Sequence, residues 1–220
     1  MFDQHTFIDF MLKHKVVGTF EQAIQLNSGR YSNWYVNWRD VAQDAYALDL
    51  LCDQVLAFTS SLNLQVDTFY GVPEGASKLG FLCQYKFAKQ SENFALGSHV
   101  LSMGRGKVKA HGNPKDQFFL GVPKGRTLVI EDVTTTGMSL VLAIKKLKEA
   151  QVDVVAAIAL TNRMDDPNIN VEKELAALGV PYQCLSTGKT IAQHMLNRHN
   201  EGQFMLSEAS IKEFEVLAQS

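Results

Sequence analysis

Hydrophobic positions along the chain follow first one period and then another. Phe2, Phe7, Phe10, Met11 and His14 recur at helical spacing and predict a helix over residues 3–15. Residues 19–26 and 31–38 read as two extended segments around the turn signature Asn27-Ser28-Gly29-Arg30. A helix is expected over 42–60, then a strand over 66–70 that ends in Gly71-Val72-Pro73-Glu74-Gly75, then a helix from Ala76. Strand-like segments recur at 95–103, 127–131, 152–160 and 182–185, with helices over 138–150 and 169–178. In 138–150, Leu140, Ile144 and Leu147 share one face with Val141 beside them, while Lys145, Lys146 and Lys148 point outward. The apolar runs 128–130 and 154–160 have the continuous character of parallel strands covered on both faces. The pattern therefore predicts an α/β fold, an open and mostly parallel sheet flanked by helices. The chain divides into an N-terminal segment over 1–40, a core over 41–200 and a C-terminal helix over 201–220. Ligands of such sheets bind at the carboxyl ends of the strands, which singles out the loops after Tyr70, Glu131 and Leu160.

Composition narrows the function. The 220 residues are 46% hydrophobic and 20% charged, enough to bury one core without disulfide or metal staples. A net charge of −2 and a pI near 6.3 argue against the globally basic surface of a dedicated nucleic-acid binder. Cys52, Cys83 and Cys184 lie far apart with no CxxC spacing, as small buried hydrophobes in a reducing compartment do. Asp3, Asp9, Lys13 and Lys15 interrupt the apolar positions of the N-terminus, unlike a signal peptide. No apolar stretch approaches the ~20 residues of a membrane span. The expectation is a cytoplasmic protein with no membrane or nucleic-acid partner.

The segment from Thr127 to Ser139, TLVIEDVTTTGMS, carries the clearest chemistry. An apolar strand delivers Glu131 and Asp132 to its carboxyl end, and a hydroxyl-rich turn and a helix follow. Successive backbone N–H groups, the Thr134, Thr135 and Thr136 hydroxyls and a helix N-terminus converge there as an anion site. Gly137 lets the backbone approach a phosphate without a Cβ in the way. Carboxylates beside such a pocket repel a second phosphate but accept hydrogen bonds from sugar hydroxyls, so the implied ligand is a ribose 5-phosphate. A Thr-rich turn that merely caps a helix is the alternative, and the full strand–acid pair–turn–helix order weighs against it.

Residues 104–126 set six cations, Arg105, Lys107, Lys109, Lys115, Lys124 and Arg126, against Asp116 alone. Gly104, Gly106, Gly112 and Pro114 break any helix, so 104–117 reads as a mobile basic loop. Cations that close over a pyrophosphate leaving group neutralise developing charge and exclude water.

VIEDVTTTG resembles the phosphoribosyl-pyrophosphate (PRPP) motif of type I phosphoribosyltransferases. The resemblance implies that Glu131 and Asp132 hold the ribose hydroxyls, and that Val133, Thr134, Thr135, Thr136, Gly137, Met138 and Ser139 surround the 5-phosphate. RGKVKAHG is similar to the mobile catalytic loop of the orotate phosphoribosyltransferases, with Arg105, Lys107, Lys109 and His111 flanking the pyrophosphate. Lys109 and Asp132 become the catalytic residues by the same likeness. In that family the loop serves the neighbouring subunit, which implies a homodimer, and Mg2+ is held mainly through PRPP with no firm protein ligand. SGRYSNWYVN resembles the family segment that covers the pyrimidine, with Tyr35 and Val36 against orotate. Thr161-Asn162-Arg163 resembles the strand end whose arginine pairs the orotate carboxylate, a suitable partner for a guanidinium fork. Thr135 also suits an anionic pyrimidine, since purine members often carry Asp there. The implied reaction joins orotate and PRPP into orotidine 5-monophosphate and pyrophosphate.

Three family lysines are replaced, by Asn27, Glu74 and Gly106, with Lys78 and Lys107 as candidate substitutes. Two other functions stay in view: transfer to another nucleobase, and a non-catalytic PRPP-sensing regulator. The latter would need a basic face or a helix-turn-helix appendage, and the sequence offers neither. Ser186-Thr187-Gly188-Lys189-Thr190 imitates a P-loop but lacks the earlier glycine, with Gln183 in its place. His194 and His199, five apart, make a poor helical metal pair.

Overall fold

A computed structural model describes residues 2–26, 29–107, 117–163 and 170–219. The first helix, α1 (Gln4–Lys13), starts where the Asp3 side chain accepts the Thr6 N–H at 2.8 Å. Strands β1 (Val17–Gln25) and β2 (Tyr31–Val36) pair antiparallel, with a register shift between Thr19 and Ile24. The helix expected over 42–60 is divided. A short 3-10 turn, Val41–Gln43, ends at Asp44, whose carboxylate takes the Ala47 N–H at 2.7 Å and starts α2 (Ala45–Ser61). An aspartate is a better N-cap than a helix-interior residue, and that local preference decides the boundary.

Strand β3 (Thr68–Gly71) leads through the 72–76 loop into α3 (Ser77–Gln90). The strand expected over 95–103 is replaced by turns, and only Met103–Gly104 is extended, as β4. Ser98 Oγ accepts the Ala95 N–H and donates to the Ala95 carbonyl, and Gly97 adopts φ +80°. Such local bonds compete with a strand ladder and win in this polar stretch. β4 pairs antiparallel with β5 (Phe119–Leu120) at the base of the basic segment.

The core follows with β6 (Thr127–Thr134), α4 (Met138–Glu149), β7 (Val154–Asn162), α5 (Val171–Ala177), β8 (Tyr182–Thr187) and α6 (Gly188–Asn200). β3, β6, β7 and β8 form one parallel sheet in that order. Leu128, Ile130, Ile158 and Leu160 pack on one side with Leu51, Val55 and Leu79 from α2 and α3. Val129, Ala157 and Ala159 pack on the other with Leu140, Ile144, Leu147 and Leu175 from α4 and α5. Each fully buried Leu or Ile contributes about 1.5–3 kcal/mol, so the doubly covered sheet is the stable platform. Thr187 and Thr190 form a reciprocal capping box that starts α6, which is what the P-loop imitation amounts to. His194 Nε2 meets Asp9 at 2.8 Å, tying α6 to α1.

The last helix, α7 (Glu208–Gln219), packs on the β1–β2 hairpin. Glu213 accepts from Ser32 Oγ and from the Asn33 N–H, both at 2.6 Å, and Phe214 packs against Trp34. The hood is thus built from both ends of the chain. Cys52 and Cys83 are buried and unpaired, and burial pushes the Cys83 thiol well above its ordinary pKa. Among the described residues no helix is long and apolar enough to cross a membrane.

α3 meets β3 backbone to backbone. A Cβ on Gly80 would lie 2.1 Å from the Gly71 nitrogen, and one on Gly71 would lie 1.9 Å from the Ala76 carbonyl oxygen. This contact draws the 72–76 loop onto the end of β6. Gly80→Ala tests it, because helix propensity alone favours Ala by ~1 kcal/mol while overpacking costs about 1–3 kcal/mol. The clash is against backbone, so the denaturation midpoint should fall; a more stable variant would contradict the contact.

Candidate functional site

Three strand ends and the hood enclose one cavity of about 310 Å3. β6 supplies Glu131, Asp132 and Val133, and the turn after it supplies Thr135 and Ser139. Arg163 enters from the end of β7, Pro73, Glu74 and Gly75 from the loop after β3, and Tyr35 and Val36 from β2. Residues from four separate sequence regions therefore face one space. A larger cavity, about 490 Å3, opens between α1, α6 and α7 and contains none of the predicted site residues.

The two acids sit in different surroundings. Glu131 is only 5% exposed, and it accepts the Asp132 N–H at 3.2 Å. Burial, and next the negative charge of Asp132, push its pKa up to about 9. Glu131 therefore keeps its proton through neutral pH and can donate as well as accept. Asp132 is half-buried and takes the Val133 N–H at 2.9 Å. Its carboxylate lies flat on the next loop: a Cβ on Gly75 would stand 2.1 Å from Asp132 Oδ2.

The turn beyond divides its hydroxyls between core and cleft. Thr134 is buried, with its hydroxyl 2.6 Å from the Tyr182 hydroxyl and 3.3 Å from Asn162 Oδ1. That side chain is committed to the interior, because Thr134 is the last residue of β6 rather than the first of the turn. Thr135, Thr136, Met138 and Ser139 are exposed, and the Met138 N–H points back to Thr136 Oγ1 at 3.4 Å. Gly137 has φ +71°, and a Cβ there would meet Val171 Cγ2 at 2.3 Å. The N-terminus of α4 thus opens toward the cleft with small polar residues around it, an arrangement suited to an anion.

Arg163 is held rigidly although only 2% exposed. Its Nη2 donates to Ser32 Oγ at 2.7 Å and to the Trp34 carbonyl at 2.9 Å, and its guanidinium carbon lies 4.3 Å from the Trp34 ring centre. Its own N–H donates to the Thr134 carbonyl at 2.8 Å, coupling the acid-bearing strand to the hood. Trp38 Nε1 reinforces the same junction by donating to Thr161 at 3.1 Å.

Arg105 borders an adjoining cavity of about 190 Å3 with Gly106, Tyr70 and Lys146, which shares Pro73 and Ser139 with the first. Burial raises the Tyr70 hydroxyl there to about 12. Lys107 is exposed and borders neither space. Lys109 and His111 lie outside the described residues, as does Asn27. Lys78 does not line the cleft; its Nζ donates to the Ala42 carbonyl at 3.0 Å. Sequence reasoning missed Arg39, Asn37 and Gly75, which line the cleft. Arg39 and Asn37 continue the alternation of β2 past its end, a signal that was present. The contact between Gly75 and Asp132 had no sequence signature.

The chain has relatives among known proteins. The orotate phosphoribosyltransferase of Pyrococcus horikoshii is 31% identical over 150 residues, 68% of this chain and 75% of the relative. That of Pyrococcus abyssi is 30% identical over 149 residues, 68% and 76% of the two chains. Among solved structures, the orotate phosphoribosyltransferase of Francisella tularensis matches 97% of this chain and 98% of its own, with TM-score 0.69 and 19% identity. The Mycobacterium tuberculosis enzyme in complex with PRPP matches 84% and 95%, with TM-score 0.56 and 17% identity. No protein-family model matches the chain.

The raised Glu131 pKa has a thermodynamic consequence. Its carboxyl must take up a proton on folding at any pH between its ordinary 4.5 and about 9. Stability therefore falls as pH rises through that window. Glu131→Gln removes the proton uptake, so its melting temperature should exceed that of the unmodified protein at pH 8, and the gap should close toward pH 4. A gap independent of pH would contradict the buried, protonated carboxyl.

Proposed function

The chain belongs to the orotate phosphoribosyltransferase family, an enzyme of pyrimidine biosynthesis that transfers phosphoribosyl from PRPP to orotate, and we propose that the reaction takes place in the cleft below the hood. The convergence of Tyr35, Val36, Arg163, Glu131, Asp132, Thr135 and Ser139 on one cavity carries this assignment.

In this reading Tyr35 and Val36 wall the pyrimidine, and Arg163 pairs the orotate carboxylate. A guanidinium already clamped by Ser32 and Trp34 loses little freedom on binding. Glu131 and Asp132 take the ribose 2- and 3-hydroxyls, the protonated acid donating while the other accepts. Val133 and Thr134 shape the strand end, and Thr135, Thr136, Gly137, Met138 and Ser139 surround the 5-phosphate. Displacement at the anomeric carbon passes through an oxocarbenium-like state, and the fixed acids and arginine align the ring nitrogen with that carbon. Arg105, Lys107, Lys109 and His111 close on the departing pyrophosphate, with Lys109 and Asp132 as the catalytic residues.

The half-buried Asp132 carboxylate on the cleft offers a hard oxygen that would suit Mg2+, which would be held mainly through PRPP and would supply charge to offset its phosphates. Loop 104–117 acts in the neighbouring active site of a homodimer, in the cytoplasm. The chain divides, in this account, into the hood over 1–40, the core over 41–200 and a C-terminal segment over 201–220 whose helix α7 (Glu208–Gln219) completes the hood.

Turnover of orotate and PRPP, compared with uracil, hypoxanthine and xanthine, tests the assignment; use of a purine but not orotate would contradict it. Arg163→Ala loses a charge-assisted pair worth about 1.5–3 kcal/mol, which corresponds to a rise in orotate KM of ~10- to 150-fold. The PRPP KM should move far less, and an equal rise in both would count against the carboxylate role. Lys109→Ala should lower kcat by about 10²–10³. Mixing Lys109→Ala with Asp132→Asn subunits should restore part of the activity through hybrid dimers. No restoration in a proven hybrid would place the loop in its own subunit's site.

A further inference from the structure

The side chain of Arg163 is tied to the far end of the chain. In the β1–β2 hairpin Thr19 faces Trp34 and Ile24 faces Ser32, so Asn33 falls at the register shift. α7 docks there. Ser210 Oγ donates to the Asn33 carbonyl at 3.3 Å, and the buried Phe214 ring lies 5.6 Å from that of Trp34. The half-buried Glu213 accepts the Asn33 N–H through Oε2 at 2.6 Å.

The other oxygen of Glu213 reaches further. Oε1 lies 2.6 Å from Ser32 Oγ, and that hydroxyl accepts from Arg163 Nη2 at 2.7 Å. A hydroxyl has one proton to give. Ser32 Oγ has two acceptors within reach, Glu213 Oε1 and the Trp34 carbonyl at 2.9 Å. The nearer, charged acceptor takes the proton. The Trp34 carbonyl is then left to Arg163 Nη2, also at 2.9 Å, and the Ser32 lone pairs turn to the guanidinium. With Ser32 3% and Arg163 2% exposed, water screens this chain of bonds little, and the carboxylate strengthens Ser32 as an acceptor. Without that charge the hydroxyl is free to turn to the Trp34 carbonyl and compete with Arg163 for it. The negative charge stays one hydroxyl away from the guanidinium. It can therefore fix the arginine without meeting the positive charge that attracts a substrate carboxylate.

We propose that Glu213 is a positioning residue for orotate: through Ser32 it sets the orientation of Arg163, and the C-terminal helix thereby tunes recognition of the substrate carboxylate. The proposal rests on the pairing of Arg163 with that carboxylate in the reading above. Arg163 lines the cleft and Glu213 does not, so the effect travels through the hydroxyl rather than by contact with substrate.

Glu213→Gln keeps the shape but offers one acceptor oxygen where the carboxylate offers two, so Ser32 Oγ and the Asn33 N–H cannot both be met in their present places. Orotate KM should rise about threefold or more, with PRPP KM unmoved. In an Arg163→Ala background the same substitution should leave orotate KM where it was, because the residue it acts through is gone. Should Glu213→Gln not fold, Ser32→Ala carries the test, and it too should raise orotate KM while sparing PRPP KM. An unchanged orotate KM, or equal rises for the two substrates, would overturn the proposal. An effect that persists undiminished in the Arg163→Ala background would also overturn it, making Glu213 a structural tie between α7 and the hood. Arg163→Ala alone separates the two levels. If it leaves orotate KM unmoved, the reading of the arginine fails and this proposal with it; a rise there with none in Glu213→Gln sinks the Glu213 proposal alone.

Discussion

The close approach of backbone and carboxylate around the loop after β3 is the constraint on which the site depends. Gly71 and Gly80 allow α3 to sit directly on β3, and Gly75 allows the Asp132 carboxylate to lie on the loop between them. A side chain at Gly71 or Gly80 would push α3 off β3, and one at Gly75 would collide with the Asp132 carboxylate. The parallel pairing of Thr68–Gly71 with Thr127–Ile130 sets the strands in register, and the glycines convert that register into a cleft.

Electrostatics then act on a rigid frame. Glu131 and Asp132 are neighbours in sequence, but burial separates their roles by holding a proton on Glu131. Arg163 is fixed by neutral acceptors from the hood and stacked on Trp34, so its position does not wait for a ligand. Because α7 fixes Ser32 and Asn33 through Glu213, the far C-terminus helps to orient this arginine. The hood is accordingly more than a cover: through Tyr35 and Val36 it supplies one wall of the cleft.

Much of this was legible from residue order alone. The apolar runs 128–130 and 154–160 announced parallel strands buried on both faces, and the acid pair followed by TTTG located the central loop. The failures share a cause. The strand expected over 95–103 yielded to side-chain–backbone bonds of Ser98 and the left-handed Gly97, and the helix over 42–60 yielded to the cap at Asp44. Thr134 belongs to the strand, and its partner Tyr182 lies 48 residues away, beyond any local pattern. Likewise Glu74 and Gly106 stand out separately in the sequence, but only the fold brings them into contact.

The most direct measurement is a crystal structure of the protein soaked with PRPP and Mg2+. The account predicts ribose hydroxyls within hydrogen-bond distance of Glu131 and Asp132, with the 5-phosphate against residues 135–139. A sugar phosphate lodged elsewhere, such as between α1 and α6, with the β6 acids facing only solvent, would contradict it.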